Sequence, residues 1–417
     1  MTEMGGRESI DDGSSEVSWA STMLPPELFL SVFSLSDKLT LTRVCLVSKE
    51  ISLLAAEVLY ANVTLPCTVH ESASANIVKH SFLCSRNLHL VRFLSFKGPV
   101  WNWIGHSWIN IHDVLIRLPQ LQTLKFSTGP PPEIPAYPTD SSKCPFRLRT
   151  LCIDHQSSLD DPLVQFLEYQ TELRELCLPS VHRYSKLLST GALPRLETLT
   201  APWSVIAKLA ADNTRPLRSI TVSFEIRNGP AITATDSLPS TAPNAIETLS
   251  IGHGPLLDLS VDGKIGKVFP NLRNLSFMAG IAWGQTRLTR VGEAFLAIIS
   301  SCTNLKSFIV EIDLYLPDII YPARVEPFAE EDAIRTQFAT SYIQHLSQIV
   351  ISSTRMVNSP LQLFAIRIDA LQNSSVHVIR RTFDTQSEEK MGWVAGDFTF
   401  PHRTTWAPVE YDDGKPL

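Results

Sequence analysis

No stretch of this 417-residue chain approaches the roughly 18 consecutive apolar residues needed to cross a bilayer. The opening MTEMGGRESIDDGSSEVSWASTM has neither a basic n-region nor an apolar h-region, so no secretory signal peptide is expected. Runs of Lys and Arg are also missing. With a formal net charge of −6 and a pI of about 6.0, the chain lacks the electrostatic footprint of a general nucleic-acid binder. The seven cysteines are odd in number and form no C-x-x-C, which argues against a disulfide framework or a zinc site. Most lie in apolar runs such as VCLVS and RTLCID and read as buried, reduced thiols, as the cytoplasm or nucleus would keep them.

Signals of catalysis are equally scarce. There is no G-x-S-x-G elbow and, among eleven histidines, no H-E-x-x-H. The segment DGKIGK (262–267) fails as a phosphate loop: Val261 stands where the first glycine is required, and Val268 follows Lys267 in place of Ser or Thr. No catalytic residue, metal or cofactor is assigned. An enzyme would need a nucleophile, base and orienting group brought together only by folding.

What the chain does have is apolar material, 44% hydrophobic against 19% charged residues, ample for a core. Residues 1–22 are rich in Gly, Ser and acids and read as a disordered tail. Order is expected from Leu24, with Pro25 and Pro26 suited to a helix entry. Leu28, Val32 and Leu35 then recur at helical spacing. A second short helix carries Leu39, Leu41, Val44 and Leu46. A third, from Ser48 to Tyr60, lines up Ile51, Leu54, Ala55 and Val58. Three short helices over residues 23–65 make a core that is marginal alone.

From about residue 60 a six-residue unit recurs, apolar at positions one, four and six. It reads VRFLSF (91–96), LQTLKF (121–126), LRTLCI (148–153), LRELCL (173–178), LETLTA (196–201), LRSITV (217–222), IETLSI (246–251), LRNLSF (272–277) and LKSFIV (305–310). NVTL (62–65) and LQLFAI (361–366) are weaker members. The triplet alone is common by chance, but two features lift it. From Leu121 to Leu305 the units start 21 to 33 residues apart, averaging about 26, within the leucine-rich-repeat range. Proline also precedes the first leucine by two residues in LPQL, LPRL and FPNL. Proline ends a preceding helix and leads the chain into an extended segment. Amphipathic pieces lie between units: WINIHDVLIRLP (108–119), a segment opening at Asp161–Pro162, and residues 330–350. The expected fold is therefore α/β: residues 66–373 form an irregular leucine-rich-repeat-like solenoid with a parallel sheet on its concave face. The proline-rich 129–138 is a loop between repeats. Residues 374–417 match no repeat and are read as a C-terminal cap.

In each strand, positions four and six point into the core and position one closes the preceding turn; positions three and five face away from the core. The outward columns are small and mostly neutral. Thr123, Lys125, Thr150, Glu175, Thr198, Thr248 and Asn274 are the candidate target-binding residues, against the plainer reading that Thr and Ser suit an exposed sheet. Position two carries charge: Arg92, Arg149, Arg174, Arg218, Arg273 and Lys306, interrupted by Glu197 and Glu247. A stripe of solvated turn charges explains it, with a binding edge as the alternative. Trp101, Trp103 and Trp108 follow the first strand and suit either packing or an interface.

The segment LPPELFLSVF, followed by LVSK, resembles the F-box family. Its pattern of Leu-Pro-x-Glu-Leu, then Ile/Val-Phe, then Leu-Val-Ser/Cys-Lys is met by Leu24, Pro25, Glu27, Leu28, Val32, Phe33, Leu46, Val47, Ser48 and Lys49. The closing VLYANVTL is also similar to fungal F-box proteins, where this segment leads into repeats. The resemblance covers about 40 residues and departs from the pattern at Ile51, where the family commonly has Trp. It implies binding of a Skp-type adaptor, and through it a cullin, with Leu24, Pro25, Leu28, Val32 and Val47 lining the interface. The repeats would hold a target protein as the substrate receptor of an SCF-type ubiquitin ligase. The alternative is a leucine-rich-repeat interaction scaffold without a ligase role.

Overall fold

The computed structural model describes residues 25–66, 85–97, 114–127, 144–154, 158–159, 161–181, 183–184, 188–210, 214–223, 245–251, 264–282, 285–315, 348, 360–370, 373–382, 392–395, 411–412 and 415–416. The chain divides into two compact units, Met1–Asn62 and Val63–Leu417.

The first unit holds three helices: α1 (Pro26–Ser34), α2 (Lys38–Val44) and α3 (Lys49–Ala61). Each start has a local cause. Pro25 stands at the cap of α1 and Pro26 in its first turn, where a missing N–H costs nothing. Asp37 caps α2, its carboxylate accepting from the Thr40 N–H at 2.9 Å and the Thr40 hydroxyl at 2.8 Å. Those two bonds, the N–H first, hold the Asp37 carboxyl below its usual range. Ser48 caps α3 by accepting from the Ile51 N–H at 3.2 Å. Phe33, Leu41 and Ala55 form the buried centre, with Phe29, Val44, Cys45, Ile51, Leu54, Val58 and Leu59 packed around it. A centre of three buried residues is a small core for three helices.

The second unit is built on one sheet. Its strands are β1 (Asn62–Pro66), β2 (Phe93–Lys97), β3 (Thr123–Phe126), β4 (Thr150–Ile153), β6 (Glu175–Cys177), β8 (Thr198–Pro202), β9 (Ser219–Ser223), β10 (Thr248–Ile251), β11 (Asn274–Ala282), β12 (Ser307–Tyr315), β13 (Leu363–Ala370), β14 (Asn373–Thr382) and β15 (Gly392–Ala395). Two short strands, β5 (Ser158–Leu159) and β7 (Arg183–Tyr184), pair apart from it, as do β16 (Tyr411–Asp412) and β17 (Lys415–Pro416). Order in the 13-stranded sheet follows order in the chain. Every pairing from β2 to β13 is parallel. Chain-order stacking of parallel strands is what a solenoid-like arrangement produces, because each unit contacts only its neighbours. The last pairings, β13 to β14 and β14 to β15, are antiparallel. Residues 373–382 and 392–395, within or next to the segment read as a cap, thus extend the same sheet.

The units stay in register through one repeated device. The carbonyl of each position-two residue accepts two N–H groups, from positions two and three of the next unit. Arg92 accepts from Gln122 and Thr123, Gln122 from Arg149 and Thr150, and Arg149 from Arg174 and Glu175; the pattern continues to Lys306, which accepts from Gln362 and Leu363. Position one closes the preceding turn, donating to the carbonyl three residues back at Val91, Leu121, Leu173, Leu196, Leu272 and Leu305. LQLFAI, weak as a sequence match, is fully in register: Leu363 pairs with Ser307 and Phe364 with Phe308.

Burial follows the six-residue unit. Positions one, four and six are buried in every strong unit, with Val222 the half-buried exception. Aromatic rings stack along the core: Phe96 and Phe126 lie 5.0 Å apart and nearly parallel, and Phe295 meets Phe308 edge-on at 5.2 Å. Four helices among the described residues add to this core: α4 (Asp161–Glu168), α5 (Trp203–Ala210), α6 (Lys264–Val268) and α7 (Gln285–Ser301). In α4, Leu163, Phe166 and Leu167 are buried and Pro162 sits in the first turn. Two buried polar side chains brace successive turns. Gln170 accepts from the Leu148 N–H at 2.8 Å, and Arg215 donates to the carbonyls of Ala192 and Leu209 at 2.9 and 2.6 Å.

Gly266, the second glycine of the failed phosphate loop, has a packing role. A Cβ there would overlap the carbonyl of Ser301 at the end of α7. Several expected features lie outside the described residues: the tail 1–22, Leu24, the Trp101–Trp108 cluster, the loop 129–138 and all of the 330–350 piece except residue 348.

The cysteine reading needs correction. Cys144 and Cys302 are buried, but Cys45, Cys152 and Cys177 are only partly covered. Cys152 sits between core residues Leu151 and Ile153, and strand alternation turns it to the opposite face.

Denaturant melts should show Leu275→Ala costing about 2–5 kcal/mol, as emptying a packed core position does, and Thr248→Ala well under about 1 kcal/mol. Equal losses would place the inside–outside assignment one residue out. Gly266→Ala should destabilise by about 1–3 kcal/mol through overpacking; an unchanged melt would refute the close approach of α6 to α7.

Candidate functional site

The first unit buries little and exposes much. Leu28, Val32, Leu35, Leu39, Leu46, Val47 and Leu53 are between 50% and 91% exposed. On α1 the cause is the helical period: Phe29 and Phe33 turn into the core with rings 5.8 Å apart, so Leu28, Val32 and Leu35 form a stripe on another face. Leu46 and Val47 lie in the turn between α2 and α3, where the Leu46 and Val47 N–H groups bond to Arg43 and Val44. Isolated exposed leucines are ordinary, but seven on a unit of three short helices are an unusual apolar surface.

Of the adaptor-binding residues expected from sequence, Pro25, Leu28, Val32 and Val47 are exposed. Leu24 lies outside the described residues. Leu39 was legible as an apolar helix residue but not as surface; Leu35 and Leu46, expected in the first and second helices, stand just past the ends of α1 and α2 and are exposed. Leu53 was passed over entirely; standing next to Leu54 and two residues from Ile51, it projects away from the face those residues share.

The sheet carries the second candidate surface. Thr123, Lys125, Thr150, Thr198, Thr248 and Asn274 are half-buried on the face opposite the core, and Glu175 is exposed. Their polar groups partly serve one another. The Thr150 hydroxyl donates to the Glu175 carboxylate at 3.2 Å, the Asn274 amide to the Thr248 hydroxyl at 3.3 Å, and the Lys125 ammonium stands 5.9 Å from the Phe93 ring centroid. The assignment of every third and fifth position to an open face fails at Ser95, Ser219 and Ser250, which are buried. Strands about 4.8 Å apart let the row neighbours cover so small a side chain. Ser250 lies between Thr221 and Ser276 and accepts from the Ser276 hydroxyl at 2.9 Å.

Position two forms an exposed charged edge. Arg174 lies 3.8 Å from Glu197 and Arg273 3.5 Å from Glu247, both pairs solvated and worth little each. Around Arg218, Glu247 and Arg273 this edge includes a groove of about 430 Å³, also lined by Asn271 and Asn304. No described helix is long and apolar enough to cross a membrane.

No family model matches the chain, and no curated protein matches it.

The exposed stripe on α1 can be separated from the core by stability. Val32→Ala should change the melt of the helical unit by no more than about 0.5 kcal/mol, whereas Phe33→Ala should cost about 3–5 kcal/mol. Hydrogen exchange at the α1–α3 amides of the full chain reads both. A Val32→Ala loss as large as that of Phe33→Ala would show that the stripe is structural.

Proposed function

We propose that this chain is a substrate-recognition subunit of an SCF-type cullin–RING ubiquitin ligase, its helical unit an F-box that binds a Skp-type adaptor and its leucine-rich repeats the holder of a target protein. The observation that carries the proposal is the coincidence of motif and exposure. The residues that match the F-box pattern at Leu28, Val32, Leu46 and Val47 are also among the most exposed large apolar residues of a unit with little core of its own. Apolar groups left in water are costly, and covering them on a partner recovers about 25 cal/mol per Å² buried. A groove or helical partner with apolar pockets suits an α1 stripe at i, i+4 and i+7.

In this reading the chain contributes binding and geometry. The long sheet presents a low-charge face to a target, and the other ligase subunits supply the bond chemistry. The proposed target surface comprises Thr123, Lys125, Thr150, Glu175, Thr198, Thr248 and Asn274.

Titration calorimetry with the Skp-type adaptor of the same species tests the reading. Leu28→Ala and Val32→Ala should each weaken binding by about 2 kcal/mol, roughly 30-fold, while circular dichroism stays unchanged. No binding by the unaltered chain would end the ligase proposal in favour of a repeat scaffold without a ligase role.

A further inference from the structure

The open face of the sheet gathers one group of metal-ligand character. Cys152 on β4 and Cys177 on β6 are direct register partners. Asp154 follows the end of β4. The two sulfurs and a carboxylate oxygen of Asp154 all lie within 4.8 Å of one another, and this is the one such trio among the described residues. All three residues are partly covered and partly open to solvent.

We propose that Cys152, Cys177 and Asp154 form a binding site for Zn²⁺, with the fourth coordination position open. Donor chemistry selects the ion. Two thiolates exclude Mg²⁺ and Ca²⁺, which take oxygen ligands, and favour a borderline-soft cation. Zn²⁺ accepts mixed sulfur and carboxylate sets and imposes no geometry beyond four-coordination. The distances suit it. Sulfur about 2.3 Å and carboxylate oxygen about 2.0 Å from a tetrahedral ion stand roughly 3.5 Å apart. The Cys152 thiol lies 3.2 Å from the Asp154 carboxylate oxygen, so small rotations would close the set.

The backbone holds these ligands in place. Both cysteines are on paired strands, the most rigid support the fold offers. Asp154 is fixed at both ends of its peptide: its N–H donates to the Phe126 carbonyl at 2.9 Å, and its carbonyl accepts from the Ser180 hydroxyl at 2.7 Å. Ser180 follows β6, so the same bond ties the Asp154 loop to the strand that carries Cys177. Outer contacts of this kind orient metal ligands.

The row neighbour of Cys152 on the other side, Lys125, directs its ammonium over the Phe93 ring of β2. Three acidic groups crowded together gain when a divalent cation displaces the thiol protons to solvent, forming two Zn–S bonds and one Zn–O bond.

The full chain, with thiols reduced and metal stripped by chelation, should be titrated anaerobically with Co²⁺ as the optical probe. One equivalent should produce a thiolate-to-cobalt charge-transfer band that Zn²⁺ abolishes. Cys152→Ser and Cys177→Ser should each weaken binding by more than about 100-fold, beyond the 10- to 100-fold that outer contacts cost. Cys302→Ser should leave the band intact; its thiol is buried and pushed up to about 11. Asp154→Asn should keep the band at lower affinity. A second measurement needs no variant: Zn²⁺ alone should protect Cys152 and Cys177 of the unaltered chain from alkylation, read peptide by peptide by mass spectrometry. Failure of the unaltered chain to bind one equivalent, a band that survives the double Cys→Ser variant, or absence of zinc-dependent protection at both residues would overturn the site.

Discussion

The carbonyl of position two is the joint on which the second unit depends. It accepts two N–H groups from the following unit, and the same pair of bonds recurs from Arg92 to Lys306. A backbone ladder of this kind sets the register, and register determines which side chains reach the core. Because each strand is laid on the last without offset, the aliphatic side chains at position four, seven leucines and Ile220, form one row from Leu94 to Leu275, continued by Phe308 and Phe364. A slip of one residue would turn that row to solvent and bury Thr and Ser in its place. The ladder also explains how repeats 21 to 33 residues apart share one sheet. Variation is absorbed between strands, while the six residues that carry the bonds keep their length.

The same alternation creates the faces available for binding. Burying positions one, four and six leaves three and five on the other side, in rows formed by residues far apart in sequence. Cys152 and Cys177 become neighbours because they occupy the same position in consecutive units. The first unit follows the opposite economy. Its helices keep a core around Phe33, Leu41 and Ala55 and leave Leu28, Val32 and Leu35 outside. One unit thus maximises internal burial, and the other retains apolar surface, the property proposed here for docking.

Much of the fold was legible in the sequence because its dominant signal is periodic. The spacing of LQTLKF, LRTLCI and LRNLSF gave strand positions, core residues and strand order together. Pro25 and Pro26 marked the start of the first helix; the Ser48 cap of α3 shows only in the structure. What stayed illegible depends on distance in space. The C-x-x-C test is local, so it passes over two thiols separated by one repeat length. The burial of Ser95, Ser219 and Ser250 depends on row neighbours that no single segment contains. Gly266 read as the remnant of a failed phosphate loop, and its use appears only where α6 meets the end of α7. In the helical unit, the motif pointed to Leu28, Val32 and Val47, but exposure at Leu53 needed the helix placed against its neighbours.

Hydrogen–deuterium exchange on the full chain, with and without a Skp-type adaptor, bears most directly on the division of labour between the two units. The account predicts that adaptor slows exchange at amides of residues 26–49 and leaves the ladder amides of β3, β4 and β10 unchanged. Slowed exchange confined to the sheet, or no change at residues 26–49 under saturating adaptor, would contradict it.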